Sequence, residues 1–269
     1  KVRIFNTNTK KIIEASVPVR DGKAATEGDF VINGVPGSGA KIVLNFVSSA
    51  GSKTGKLLPT GNAVDKMELA DGRLVRVSLV DAANPAVFVR ASEIGLTGKE
   101  LPRDTAANPM ILALMEEIRV KAALMMGLAA RPEQVSPAVP KVAFVAAPQD
   151  YETITGTRVA AADFDLLART KALAVLHKAY AVTGGICVSA AALIPGTVVS
   201  EVVGPRPKEA GVVRLGHPSG VSEFVITVVT TPAGGVTLSQ SGVAGTSRRI
   251  MDGYVYLPRR VFFPGDSVS

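Results

Sequence analysis

The chain has 269 residues, 47% of them hydrophobic, enough to bury one large core or two ordinary ones, and no apolar run reaches the ~18 residues of a membrane span. Its formal charge is +7, but the basic residues are scattered, with pairs at Lys10-Lys11, Arg248-Arg249 and Arg259-Arg260; Trp is absent and aromatics make up 5%, which argues against nucleic-acid binding and for a small polyanionic partner. A single cysteine excludes an internal disulfide and suits a reducing, cytoplasmic setting, and with His177 and His217 it offers too few ligands for structural zinc, so no metal is expected.

The opening "KVRIFNTNTK" has no initiator Met and no signal-peptide pattern, and it starts inside a strand-like stretch, as if residues upstream were missing. Period-2 alternation predicts strands in "VRIFNT", "IIEASVPV", "GDFVINGV" and "KIVLNFVSS", joined by polar, Gly-rich turns. After the loop "GSKTGKLLPTGNAVD" come "RLVRVSLVDA" and "AVFVRA", linked through Ala82-Ala83-Asn84-Pro85. A helix is predicted over Asn108–Leu128, with Pro109 in its first turn and Ile111, Leu114, Met115, Ile118, Ala122 and Met125 on one face. A strand "KVAFVAA" follows, then a second, Leu- and Ala-rich helix over Ala161–Ala179. Between Ile186 and Ile194 only Ser189 is polar, so a short helix near 185–195 should be buried on every side. Strands then return in "TVVSEVV", "GVVRLG", "SEFVITVVTT", "GVTLSQSG" and "GYVYLP". The economical architecture is α+β: a rolled, barrel-like sheet around one central apolar helix, with two further helices at the periphery.

Four stretches carry candidate chemistry. In "TGGICVSAA", glycines opening a buried helix leave backbone N–H groups free for an anion, with the helix dipole adding positive potential. Cys187 there is either a thiol of lowered pKa or a small packed hydrophobe. "GSKTGKLLPTGN" fails as a phosphate loop, because three residues rather than four separate Gly51 from Gly55-Lys56 and Leu57 replaces Ser/Thr; Thr60, Gly61 and Asn62 form either a ligand-binding turn or a surface loop. His217 and Ser219 sit in the turn "GHPSG", where the imidazole either meets a substrate or is simply solvated. Asn84 ends a strand, and its amide either grips a carboxylate or fills an ordinary turn. Asp and Glu residues read as solvated charge, and no Ser/His/Asp or paired-carboxylate signature stands out.

"VRIFNTNTKKIIEASVPV", "KTGKLLPTGN", "VSLVDAANPAVFVRASEIGLTGKEL", "HKAYAVTGGICVSAAALIPGT", "RLGHPSG" and "SRRIMDGYVYLP", in this order along the chain, resemble the methylaconitate isomerase (PrpF) family, which includes 4-oxalomesaconate tautomerase. The resemblance implies the diaminopimelate-epimerase-like fold, with two lobes, each a rolled sheet around a helix, and a site between them. It implies a cofactor-free 1,3-allylic proton shift on an unsaturated di- or tricarboxylate such as aconitate or methylaconitate. The family's catalytic lysine and cysteine motifs are not found in this sequence; by the resemblance they lie upstream, and Lys53 does not match the lysine motif. Residues 21–245 then correspond to the second lobe and 1–20 with 246–269 to remnants of the first, and the chain by itself would show little activity. Asn84, Thr183, Gly184, Gly185, Ile186, His217, Ser219 and Thr60 to Asn62 fall at the family's cleft, and Cys187 near the second cysteine of true epimerases. Two alternatives are a racemase of the same fold, disfavoured by the single thiol, and a non-catalytic polycarboxylate-binding accessory protein. Homo-oligomerisation is compatible with this reading.

Overall fold

The computed structural model describes residues 1–7, 11–47, 49–173, 175–231, 235–258 and 261; Lys10, Arg259 and Arg260 of the basic pairs lie outside them, as does most of 259–269. Twelve strands share one sheet: β1 (Val2–Asn6), β2 (Lys11–Ser16), β3 (Ile42–Phe46), β4 (Asp65–Glu68), β5 (Leu74–Ala82), β6 (Asn84–Arg90), β7 (Lys141–Ala146), β8 (Leu166–Ala172), β9 (Val175–Leu176), β10 (Val212–His217), β11 (Gly220–Thr230) and β12 (Val236–Gly245). The order is β1-β2-β3-β12-β11-β10-β8-β7-β6-β5-β4, with β9 beside β8. Pairs β6–β7 and β8–β10 are parallel and the others antiparallel. The described helices are α1 (Pro102–Ala107), α2 (Pro109–Met125), α3 (Val182–Leu193) and α4 (Arg206–Ala210).

Strands β5 to β7 are apolar at nearly every position because both of their faces are covered. Val80, Ala82, Ala86, Phe88, Ala143 and Val145 pack with α3. The alternate residues Val77, Leu79, Val87, Val89, Val142 and Phe144 join Met115, Ile118 and Ala122 of α2 in a second core. Burying Met115 or Ile118 fully contributes about 2 kcal/mol each. Asn108 starts α2 by accepting from the Met110 N–H at 3.2 Å. The predicted apolar face holds except at its last member, since Met125 is exposed and Met126 is buried in its place.

Every residue of α3 from Gly184 to Ala192 is buried. The helix packs on β5 and β6 and also on β10, β11 and β12, strands far apart along the sheet, so the sheet curls round it. Beyond β3 the chain reaches the opposite region of the sheet, where Ala50 bridges Ala82 and the Ala83 N–H donates to the Ser49 carbonyl at 2.7 Å. The result is a sheet-dominated α+β chain with one buried helix.

Three predicted elements are corrected. Residues 161–179 are not a helix: after the short 3₁₀ turn Ala161–Asp163 they form β8 and β9, turned through Leu173 at φ 54°. Leu166 and Ala168 face the α3 core while Leu167 packs with Tyr151 and Phe164, so burial on both faces erases the period-2 pattern. Pairing and burial there override the helix propensity of Leu and Ala, which is worth under ~1 kcal/mol per residue. The periphery therefore holds one long helix, α2, with short α1 and α4, rather than two long ones. "TVVSEVV" forms helical turns instead of a strand: the Glu201 N–H donates to Thr197 O at 3.2 Å, and Thr197 Oγ1 accepts from the Ser200 N–H at 3.0 Å in the manner of an N-cap. "GYVYLP" adopts no strand, and Tyr254 and Tyr256 are almost fully exposed.

Candidate functional site

The start of α3 brings polar backbone groups to the edge of the buried core. Ala181 precedes it in extended conformation and no side chain caps it. The Gly185 N–H makes the first intrahelical bond, to Ala181 O at 2.8 Å, which leaves the N–H groups of Val182, Thr183 and Gly184 as first-turn donors. Ala181 and Val182 are exposed and Thr183 is half-buried, so this turn reaches solvent. The two glycines have packing reasons. A Cβ at Gly185 would overlap the Phe224 ring, and one at Gly184 would come within 3.2 Å of Tyr180 Cε1. Gly185 is thus required by the core on its far side, not by the approach of a ligand.

Asn84 opens β6, one of the strands that α3 packs against. Cys187, one turn into α3, donates to the Val80 carbonyl at 3.4 Å, fixing this part of the helix to the end of β5. Ala82 faces Asn84 across the β5–β6 ladder, and Ala83 between them takes φ 60°, a left-handed conformation. Half-buried Asn84 therefore occupies the tip of a tight hairpin. Cys187 itself is wholly buried, and desolvation pushes its thiol well above the usual range. Its environment is the reverse of the electropositive, accessible setting that makes a reactive thiolate.

The turn after β10 lies at this end too, because Ser219 Oγ donates to the Lys178 carbonyl at 2.6 Å, four residues ahead of α3. His217 is buried rather than solvated. Its Nδ1 accepts from the Ser219 N–H at 3.2 Å, so Nε2 carries the proton and donates to Ser222 Oγ at 2.8 Å. Burial, with the Arg169 guanidinium nearby, lowers its pKa to about 4. A neutral imidazole with both nitrogens engaged is a structural group. Thr60 and Asn62 are not brought to this end: Thr60 Oγ1 and Asn62 Nδ2 donate to the Asp65 carboxylate at 2.7 and 2.8 Å. The next residue, Ala63, lies against Gly196 just past the other end of α3, which is about 18 Å long. Gly61 (φ 84°) has open space around it.

The loop that superficially resembled a phosphate cradle has an internal occupant. Asp81, fully buried at the end of β5, accepts from Ser52 Oγ (2.5 Å), the Lys53 N–H (2.8 Å), the Thr54 N–H (2.7 Å) and Thr54 Oγ1 (2.9 Å). The backbone donors that a phosphate would need are already committed to a carboxylate of the chain. Asp165 is likewise buried, held by Arg206 and Arg214, so these two acids correct the expectation of solvated charge.

A family model described as PrpF protein matches residues 1–258. The chain belongs to the PrpF family. Among PrpF relatives, 3-methylitaconate isomerase of Eubacterium barkeri is 43% identical over 263 residues, covering 96% of this chain and 67% of that protein. The 2-methyl-aconitate isomerase of Shewanella oneidensis is 36% identical over 263 residues, covering 96% and 66%. The crystal structure of methylitaconate-delta-isomerase matches 100% of this chain and 68% of its own with a TM-score of 0.86 and 42% identity. The chain spans about two thirds of the length of these relatives.

Two buried polar residues that the sequence did not single out tie loops to the sheet of this PrpF chain, Asp81 and Arg169. Asp81 carried a usable signal, a lone acid inside the apolar strand "RLVRVSLVDA". Arg169 was hidden by the helix expected over 161–179. None of the described helices is long and apolar enough to cross a membrane.

Proposed function

We propose that this PrpF chain takes part in a cofactor-independent isomerisation of unsaturated di- or tricarboxylates, a 1,3-allylic proton shift, with a substrate carboxylate received at the first turn of α3. The observation carrying this reading is the uncapped start of a buried twelve-residue helix that opens to solvent. Backbone N–H groups and the helix dipole there stabilise an anion, and charge growing on a carboxylate during α-proton removal is what such donors favour. The names of the relatives support the substrate class: methylitaconate and methylaconitate are both unsaturated polycarboxylates. In this reading Val182, Thr183 and Gly184 supply backbone donors and Asn84 an amide, while Ile186, Cys187, His217 and Ser219 hold the scaffold. Residues 21–245 make up the lobe carrying α3, and 1–20 and 246–269 flank it.

A second reading, a polycarboxylate-binding accessory protein, is favoured by one observation. The Cys187 thiol and the His217 imidazole are buried with raised and lowered pKa respectively, so neither exchanges protons readily near neutrality. Proton–deuterium exchange into trans-aconitate or 2-methylaconitate in D2O, followed by NMR, separates the two. Exchange supports the isomerase; saturable binding without exchange supports the accessory reading; the absence of any binding contradicts both.

A further inference from the structure

We infer that Arg169 and Tyr151 are positioning residues: together they fix the 216–220 turn and, through Ser219, the approach to α3 at Lys178, an inference that rests on the carboxylate reading above. The ladder between β8 and β10 is short, pairing Leu166 with Leu215 and Leu167 with Gly216 and going no further. Arg169, two residues past Leu167, takes over where the ladder stops. Its guanidinium is entirely buried. Nη1 donates to Gly216 O at 3.1 Å and Ala168 O at 3.0 Å, and Nε donates to Glu100 O at 2.8 Å. One planar cation thus joins the turn to β8 and to the segment ahead of α1. A lysine ammonium, a point charge on a flexible stem, does not present its donors in such a fork.

The same guanidinium lies over the Tyr151 ring, 5.2 Å from its centroid, and Phe164 stands nearly perpendicular to that ring at 5.5 Å. Held in this way, the Tyr151 hydroxyl points into the turn, shared between His217 O at 3.0 Å and Gly220 O at 2.5 Å. Burial lifts its pKa to about 12, so it stays an O–H donor across the neutral range. The Ile154 N–H donates to Pro218 O at 2.8 Å. Four carbonyls of a five-residue turn are therefore held by groups outside it.

A turn that only closed a hairpin would need none of this, because β10 and β11 already pair as far as His217 with Gly220. Arg169 is moreover buried without an ion-pair partner among the described residues, which works against stability. What the arrangement does achieve is placement. Ser219, between the anchored Pro218 and Gly220, sends its hydroxyl to the Lys178 carbonyl at 2.6 Å, four residues ahead of α3. The path from Arg169 and Tyr151 through the turn to Lys178 is thus continuous in hydrogen bonds and chain, and it fixes where the helix begins.

The test is a double-mutant cycle on the full chain, read first without ligand by backbone amide NMR and then by calorimetric titration with tricarballylate, a saturated tricarboxylate that cannot react. Without ligand, Tyr151→Phe, which removes only the hydroxyl, should shift the amides of Ser219, Lys178 and the first turn of α3. With ligand, Tyr151→Phe and Ser219→Ala should each weaken binding about fivefold, the scale of one neutral hydrogen bond. The double variant should lose no more than either alone, since both act along one path. Arg169→Lys, which keeps the charge without the fork, should lose affinity as well. Amide shifts confined to Tyr151 and residues 216–220, losses that multiply in the double variant, or parent-like affinity in Arg169→Lys overturn the inference and leave the carboxylate reading in place. A parent that binds no polycarboxylate overturns that reading, and the ligand-free shifts then decide by themselves whether the pair positions the approach to α3.

Discussion

Replacing Asp81 by Asn would leave the Lys53 and Thr54 N–H groups a neutral amide oxygen in place of the charged acceptor and turn the amide NH2 toward Ser52 Oγ. Hydrogen bonds to a charged acceptor are worth about 1.5–3 kcal/mol each, so Asp81→Asn is expected to cost about 2–4 kcal/mol in urea unfolding, with loop 51–57 exchanging its amide hydrogens faster. His217 makes a pH-dependent contribution. Its folded pKa, about 4, lies below the unfolded value near 6.5, so the unfolded chain binds the extra proton between those values. The stability due to the neutral imidazole is complete above pH ~6.5 and lost as pH falls toward 4, amounting to about 3 kcal/mol. His217→Gln keeps an acceptor for Ser219 and a donor for Ser222, and should flatten the melting temperature between pH 6.5 and 4; an unchanged slope would reject the assignment. At Gly185 an added methyl meets the Phe224 ring, so Gly185→Ala should destabilise by about 1–3 kcal/mol in the same unfolding assay.

Among the elements, the β5–β6 hairpin carries its own strain at Ala83, whose φ of 60° disfavours any side chain. Ala83→Gly should raise stability by about 0.5–1 kcal/mol, read as a higher melting midpoint. The two long helices were legible in the sequence, each by a different signal. The helix starting at Pro109 announced itself by its Asn-Pro start and 3.6-residue periodicity, and α3 by an apolar run too uniform for the surface. The strand at Leu166–Ala172 was not legible, because a strand covered on both sides has no alternation and its Leu, Ala, Arg and Lys residues favour helix. "TVVSEVV" misled for the opposite reason. Its β-branched residues promise a strand, but the Thr197 hydroxyl captures the Ser200 N–H and winds the segment into turns. For the candidate site, sequence singled out the helix start and Asn84 as candidates, but did not show that the hydroxyl of Thr60 and the ring of His217 were already engaged within the chain.

At the scale of the molecule, the curled sheet encloses a helix with no polar face and leaves its start toward solvent. Its length is buried against β5, β6 and β10 to β12, so its start is where the core meets solvent with unspent donors. Two of the PrpF relatives are named for methylitaconate and methylaconitate, both unsaturated polycarboxylates. The most direct measurement is a backbone amide NMR titration with trans-aconitate. The account predicts that Val182, Thr183 and Gly184 shift most and saturate together, with Asn84 following and Thr60 to Asn62 unmoved. Saturable shifts centred on Thr60 to Asn62 or on the 51–57 loop, with the start of α3 unmoved, would contradict it.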